Sequence, residues 1–164
     1  MWRAKRVTSD AGETLIEVVL SVIILGIAAV ALLESMATST KLSDIHRKQA
    51  NAAAYVRDYA EAVQNWVAAP SSSSNPTNYQ VCASSTAYSP STVSYTVPVG
   101  YVATESAALT WNGGAWGACS GATDNGIQRV TLTVATNDGR ASEHLDLIIR
   151  RPCRTADKWD TQCI

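Results

Sequence analysis

Residues Gly12 to Leu33 read GETLIEVVLSVIILGIAAVALL, and this stretch restricts the fold more than any other part of the chain. Leu15 to Leu33 holds a single charge, Glu17. As a helix it would run about 28 Å at ~1.5 Å per residue, close to a hydrocarbon core of ~30 Å. No Lys or Arg occurs between Arg6 and Lys41, and no Pro before Pro70. Nothing therefore stops the helix at a membrane boundary, and the spacing predicts one rod that continues past Leu33. A carboxylate inside such a span costs roughly 2.5 to 3.5 kcal/mol near its centre and less near an end. Glu17 either snorkels at the first edge of the span or has a function there.

Beyond the apolar run, residues 34–69 are predicted to continue as an amphipathic helix. Leu42, Ile45, Ala52, Val56, Tyr59, Val63 and Trp66 recur at steps of three, four or seven and fall on one stripe, while Lys48, Asn51, Asp58, Glu61, Gln64 and Asn65 fall largely elsewhere. Such a stripe reads as the seat for a sheet. From Glu13 to Ala69 the helix would measure about 85 Å. Pro70 ends it, and SSSSNPT (71–77) is a polar connector. Strands are expected at Val93–Val97 and Tyr101–Thr104, with a turn at Asn112, Gly113 and Gly114 between Trp111 and Trp116. The clearest β signal is Ile127–Ala135, where Val130, Leu132 and Val134 alternate with Arg129, Thr131 and Thr133. Asn137, Asp138 and Gly139 supply turn chemistry, and Leu145, Leu147 and Ile149 resume the alternation before Pro152. The expected fold class is α+β: a long N-terminal helix, half membrane anchor and half amphipathic, packed on a small antiparallel sheet. The expected divisions are 1–12, 13–69 (15–33 transmembrane, 34–69 amphipathic) and 70–164.

Cys82, Cys119, Cys153 and Cys163 all lie after the apolar run. An even count on one side of a span suits two disulfides in an oxidising exterior. Disulfides are favoured over a zinc site because CxxC spacing is missing and only His46 and His144 could assist. Of three connectivities, Cys82 with Cys119 and Cys153 with Cys163 close the shorter loops. Flanking charge does not decide orientation, since Arg3, Lys5 and Arg6 before the span face Lys41, Arg47 and Lys48 after it. The cysteines place the C-terminal part outside. The leader differs from an ordinary secretory signal, because its apolar run is too long and no small-x-small motif closes it.

Catalytic chemistry is not legible, and the chain is not expected to be an enzyme. The sequence has no GxSxG elbow, phosphate-cradling glycine loop, HExxH or EF-hand pattern, so no cofactor or metal is expected. His46 reads as solvated; His144 could pair locally with Glu143. Asp124 and Asp138 sit in short polar runs where turn formation is favoured over calcium binding. Thirteen basic residues against 14 acidic ones, with no basic tract, give no nucleic-acid footprint, although a small patch could still bind DNA.

A basic leader, then Gly12, Thr14, Leu15, Ile16 and Glu17 running into an apolar helix, resembles the amino terminus of type IV pilins and pseudopilins; Gly26 matches a glycine common in that family's helix. The resemblance covers roughly residues 1–40. It implies a pilin-like fold, removal of residues 1–12 by a prepilin peptidase cutting between Gly12 and Glu13, and N-methylation of Glu13. It further implies polymerisation through the apolar helix, with Glu17 meeting the new amino terminus of a neighbouring subunit and Gly26 at helix packing. Implied partners are other pilin subunits, the peptidase, the membrane assembly machinery and, before assembly, the lipid bilayer. The implied location is a single-pass membrane protein with its C-terminal domain outside, then a surface filament. Glu13 stands where the family usually has Phe, and Glu34 where many major pilins have Pro, which favours a minor pilin. A pseudopilin of a secretion or DNA-uptake system and a non-polymerising anchored binding domain are the alternatives.

Overall fold

The computed structural model describes residues 13–69, 77–121 and 123–152. They form one long helix, α1 (Glu13–Ala68), and five strands: β1 (Tyr101–Glu105), β2 (Leu109–Trp111), β3 (Trp116–Ala118), β4 (Ile127–Thr136) and β5 (Ser142–Arg150). The chain divides into two compact units, Met1–Asp44 and Ile45–Ile164, and α1 contributes to both.

In the first unit α1 is long and apolar enough to cross a membrane by length and composition, and none of its most apolar window is buried. The hydroxyls within and beyond the apolar run satisfy themselves on the preceding turn: Ser21 Oγ donates to the Glu17 carbonyl at 2.7 Å, and Thr38 Oγ1 to the Glu34 carbonyl at 2.9 Å. No proline interrupts the helix, which runs unbroken past Glu34.

The second unit is the end of α1, the sheet and a connector, residues 77–100, around one core. Ala52, Val56, Tyr59, Ala60, Val63 and Val67 of α1 are buried with Val130, Leu132, Val134, Leu147 and Ile149 of the sheet. The stripe expected from the sequence is thus present, with one correction: Leu42 is 51 % exposed, because it precedes the second unit and has no core to enter. Lys48, expected off the stripe, is half-buried and paired through its ammonium with Asp138 of the β4–β5 turn at 2.7 Å.

The sheet is antiparallel and centred on β4. Along one edge β5 pairs in full register, from Ile127 opposite Arg150 to Ala135 opposite Ser142. On the other edge β1 pairs with the second half of β4 and β2 with Gln128 and Arg129, and β3 pairs beyond β2. The strict alternation of β4 sends Gln128, Val130, Leu132, Val134 and Thr136 inward. Gly139 (φ 67°) supplies the left-handed residue that closes the β4–β5 turn, and Gly113 (φ 87°) does so between β2 and β3.

Val93–Val97 is not a strand. Pro90 and Pro98 bracket it, Ser94 takes φ 57°, and turn bonds run from Val93 N to the Ser89 carbonyl (3.1 Å) and from Tyr95 N to the Pro90 carbonyl (2.8 Å). This coiling brings Tyr95 onto Tyr59, stacked at 5.1 Å, with its hydroxyl on the Tyr55 carbonyl at 3.1 Å. Aromatic packing against the helix outweighs the β propensity of the segment.

Candidate functional site

The candidate site is the apolar part of α1 around Glu17. Helical spacing puts Glu17 in one shallow surface groove with Val18, Ser21, Val22 and Leu25. Glu17 has no hydrogen-bond or ion-pair partner for its side chain among the described residues. Its apolar surroundings are equally uncovered: the fourteen large apolar side chains from Leu15 to Met36 are each 48 to 71 % exposed. Leaving them in water rather than buried would cost roughly 1.5 to 3 kcal/mol apiece, about 20 to 40 kcal/mol together. So large a contiguous apolar surface is far beyond the few hundred Å² a soluble monomer ordinarily exposes, which marks it as a surface for lipid or protein to cover.

Gly26 lies in the same segment, and a Cβ added to it would meet nothing within 4 Å. Glycine inside a helix costs about 1 kcal/mol relative to alanine. No contact among the described residues offsets that cost, and the open space leaves room for another surface to approach the helix there. Gly12 lies outside the described residues, and Glu13 is described only as the first residue of α1.

Of the four cysteines, Cys82 and Cys119 form a disulfide, the pairing expected from loop length. Cys153 and Cys163 lie outside the described residues. The bond spans a separation of 37 residues, for which loop-closure entropy corresponds to about 4 kcal/mol. It joins the connector to the residue after β3.

Asp124 lies beside this disulfide, and its carboxylate is within 4.8 Å of both sulfurs. It is nonetheless poorly suited to holding a metal. The sulfurs are bonded to one another, and the carboxylate already accepts from Tyr79 Oη (2.8 Å), Gly126 N (2.8 Å), Cys82 N (3.1 Å) and Gln128 Nε2 (2.6 Å). Burial alone would raise the carboxyl, but the bonds from Gly126, Tyr79, Cys82 and Gln128 outweigh it and hold the group below its ordinary value. Burial, together with the bond to Asp124, pushes the Tyr79 hydroxyl up. Asp124 therefore makes its expected turn and also ties three segments together. Its buried partner Gln128 further donates to the Gln80 carbonyl at 2.9 Å. A glutamine at an inward position of an otherwise apolar alternation was the available sign of this network.

Asp138 also serves its turn, accepting from the Arg140 amide at 3.1 Å, and the Lys48 ammonium holds its carboxyl far below the usual range. His144 and Glu143 do not pair: as neighbours on β5 they point to opposite faces. On the outer face, the Arg129 guanidinium lies 5.2 Å from the Trp116 ring centre and 3.7 Å from Asp146. Trp111 meets Trp116 edge-on at 5.4 Å.

The chain matches no protein-family description, no curated protein and no solved structure.

Proposed function

We propose that this chain is a structural subunit of a type IV pilus or related filament, of the minor-pilin kind, processed after Gly12 and polymerised through the apolar part of α1. The observation that carries this reading is the combination in one helix of an uncovered apolar surface on every side and one unpartnered carboxylate, Glu17. A lipid anchor alone accounts for the surface. The filament reading gives a role as well to Glu17, which has no partner among the described residues, and to Gly26, where the helix surface is open.

In this reading the helix rests in the bilayer, with the second unit outside, until the leader is removed by a prepilin peptidase. Assembly then exchanges lipid for the helices of other subunits, and the Glu17 carboxylate meets a neighbour's freed amino group. Two opposite charges at 4 Å attract by about 4 kcal/mol at an effective dielectric of 20, and desolvation offsets most of it. The pair therefore sets axial register more than it adds stability, while an unpaired Glu17 in an apolar core is strongly penalised. Glu13 is one helical turn from Glu17, and like charges at that spacing repel; Glu13 is expected to neutralise its own freed amine.

Glu17→Gln is the test. It keeps size and helix propensity and removes the charge, so the protein should accumulate in the membrane while its amount in sheared surface filaments falls by tenfold or more. Undiminished incorporation would refute the role of Glu17. Where wild-type protein stays in the membrane and never enters filaments, the chain is instead an anchored domain that does not polymerise.

A further inference from the structure

Three steps in the chain put an amide or acid side chain directly before glycine: Asn112–Gly113, Asn125–Gly126 and Asp138–Gly139. At such a step the glycine nitrogen can reach the side-chain carbonyl carbon of the residue before it, because no Cβ hinders the approach. The structure treats the three differently. Gly126 N is committed to Asp124 Oδ1 at 2.8 Å, while the Asn125 side chain donates to the Trp111 carbonyl at 2.8 Å and accepts from Ile127 N at 3.3 Å. The Gly126 carbonyl is also held, by Arg151 N at 2.9 Å, and the residue is buried. Gly139 N is committed to the Thr136 carbonyl at 2.9 Å, and the Asp138 carboxylate to Lys48 and the Arg140 amide.

Asn112–Gly113 has none of these restraints. Both residues are exposed in the β2–β3 turn, and Gly113 takes φ 87°. The pair's one hydrogen bond among the described residues runs from Asn112 N to the Ala115 carbonyl at 3.0 Å. The Asn112 side chain and the peptide unit that joins it to Gly113 are therefore unbonded there. The Asn112 amide rests over Gly117, where an added Cβ would come within 2.6 Å of Nδ2. This contact occupies neither a donor nor an acceptor.

We infer that Asn112 is a site of spontaneous deamidation, selected by the fold over Asn125. The Gly113 nitrogen attacks Asn112 Cγ and forms the new N–Cγ bond of a cyclic succinimide. The Cγ–Nδ2 bond breaks, and Nδ2 leaves as ammonia with the proton from the Gly113 amide. Water then opens the ring at either carbonyl. Opening at the side-chain carbonyl restores a normal backbone with aspartate at position 112; opening at the main-chain carbonyl leaves an isoaspartyl link that adds one carbon to the backbone. Either product places a carboxylate in the turn that joins Trp111 to Trp116, and the longer one disturbs the last pair of the short β2–β3 ladder, Trp111 opposite Trp116. Water is the only other reactant, so the products accumulate with the age of the molecule, in a filament or outside one.

The test is incubation of the full chain in detergent micelles in mildly alkaline buffer, followed by peptide mass analysis and quantification of isoaspartate. Asn125 reacts only after several ordinary hydrogen bonds open together, so Asn112 is expected to convert faster by at least on the order of tenfold. In denaturant, where those bonds are gone, the two rates should converge, with isoaspartate formed at both. Asp124→Ala, which frees Gly126 N, should raise the Asn125 rate and leave the Asn112 rate unchanged. Equal conversion of the two asparagines in the folded chain would overturn the inference. So would conversion at Asn112 without isoaspartate, or none at Asn112 under conditions that convert it in denaturant.

Discussion

Tyr59→Ala is expected to lower the unfolding free energy of the second unit by about 4 kcal/mol, within the range for deleting a fully buried aromatic. Tyr59 is 0 % exposed, stacks on Tyr95 at 5.1 Å and donates its hydroxyl to the Tyr88 carbonyl at 2.8 Å. Its ring fills the space where helix, connector and sheet meet. Truncation would leave a cavity there, orphan a buried carbonyl and remove two of the contacts that hold the connector, the Tyr95 stack and the bond to Tyr88. Tyr59→Phe separates these effects: the ring remains, and only the hydroxyl is lost, at about 1 kcal/mol. Urea unfolding of the full chain in micelles, followed by near-ultraviolet circular dichroism, reads both. A lower midpoint with an unchanged slope is the expected form. A loss below about 1 kcal/mol for the alanine variant would show that the connector does not depend on this side chain.

Asp124→Ala should cost about 3 kcal/mol, although the side chain is small and not fully buried. Its removal strands four donors at once: Tyr79 Oη, Cys82 N, Gly126 N and Gln128 Nε2. An unsatisfied buried donor costs about 1 to 3 kcal/mol, and relaxation toward solvent recovers part of the sum. Asparagine is not a conservative replacement here. Both carboxylate oxygens accept, so whichever end carries the amide nitrogen faces a donor. Asp124→Asn is therefore expected to lose nearly as much as the alanine variant. The cost is also pH-dependent. Because the folded carboxyl lies below its ordinary value of 3.8, its stabilisation is present above that value and disappears as pH falls below it. Denaturation midpoints measured at pH 3 and pH 7 should therefore converge between wild type and Asp124→Ala at the acidic end. Because Cys82 is both a donor to Asp124 and half of the disulfide, breaking both is expected to cost less than the sum of the separate losses.

The long helix and the β4–β5 hairpin were legible because each rests on a local period. Nineteen residues without Lys, Arg or Pro leave little but a helix, and the Val130, Leu132, Val134 alternation determines which side of β4 is buried. The connector was not legible, for a physical reason. Val93–Val97 has strand composition, yet its conformation is fixed by partners far away in the sequence: Tyr59 and Tyr55 for Tyr95, Glu105 for Tyr88, Asp124 for Tyr79 and Cys82. No window along the chain contains those pairs. The same holds for Lys48, whose polar character hid a contact with a turn 90 residues later. Gln128 was the nearest thing to a visible clue, a polar residue on an apolar face. At the candidate site, Glu17 stood out in the sequence because charge in an apolar run is costly. The structure adds that, among the described residues, the Glu17 side chain has no partner and a Cβ at Gly26 would meet nothing within 4 Å.

The proposed assembly through Glu17 requires that processing remove the residues before Glu13. Intact mass of the protein extracted from membranes and from sheared filaments should correspond in both fractions to a chain starting at Glu13, lacking Met1 to Gly12, with or without one methyl group on its amine. A mass corresponding to a chain that still carries residues 1–12 would contradict it, since no freed amino group would then exist for Glu17 to meet.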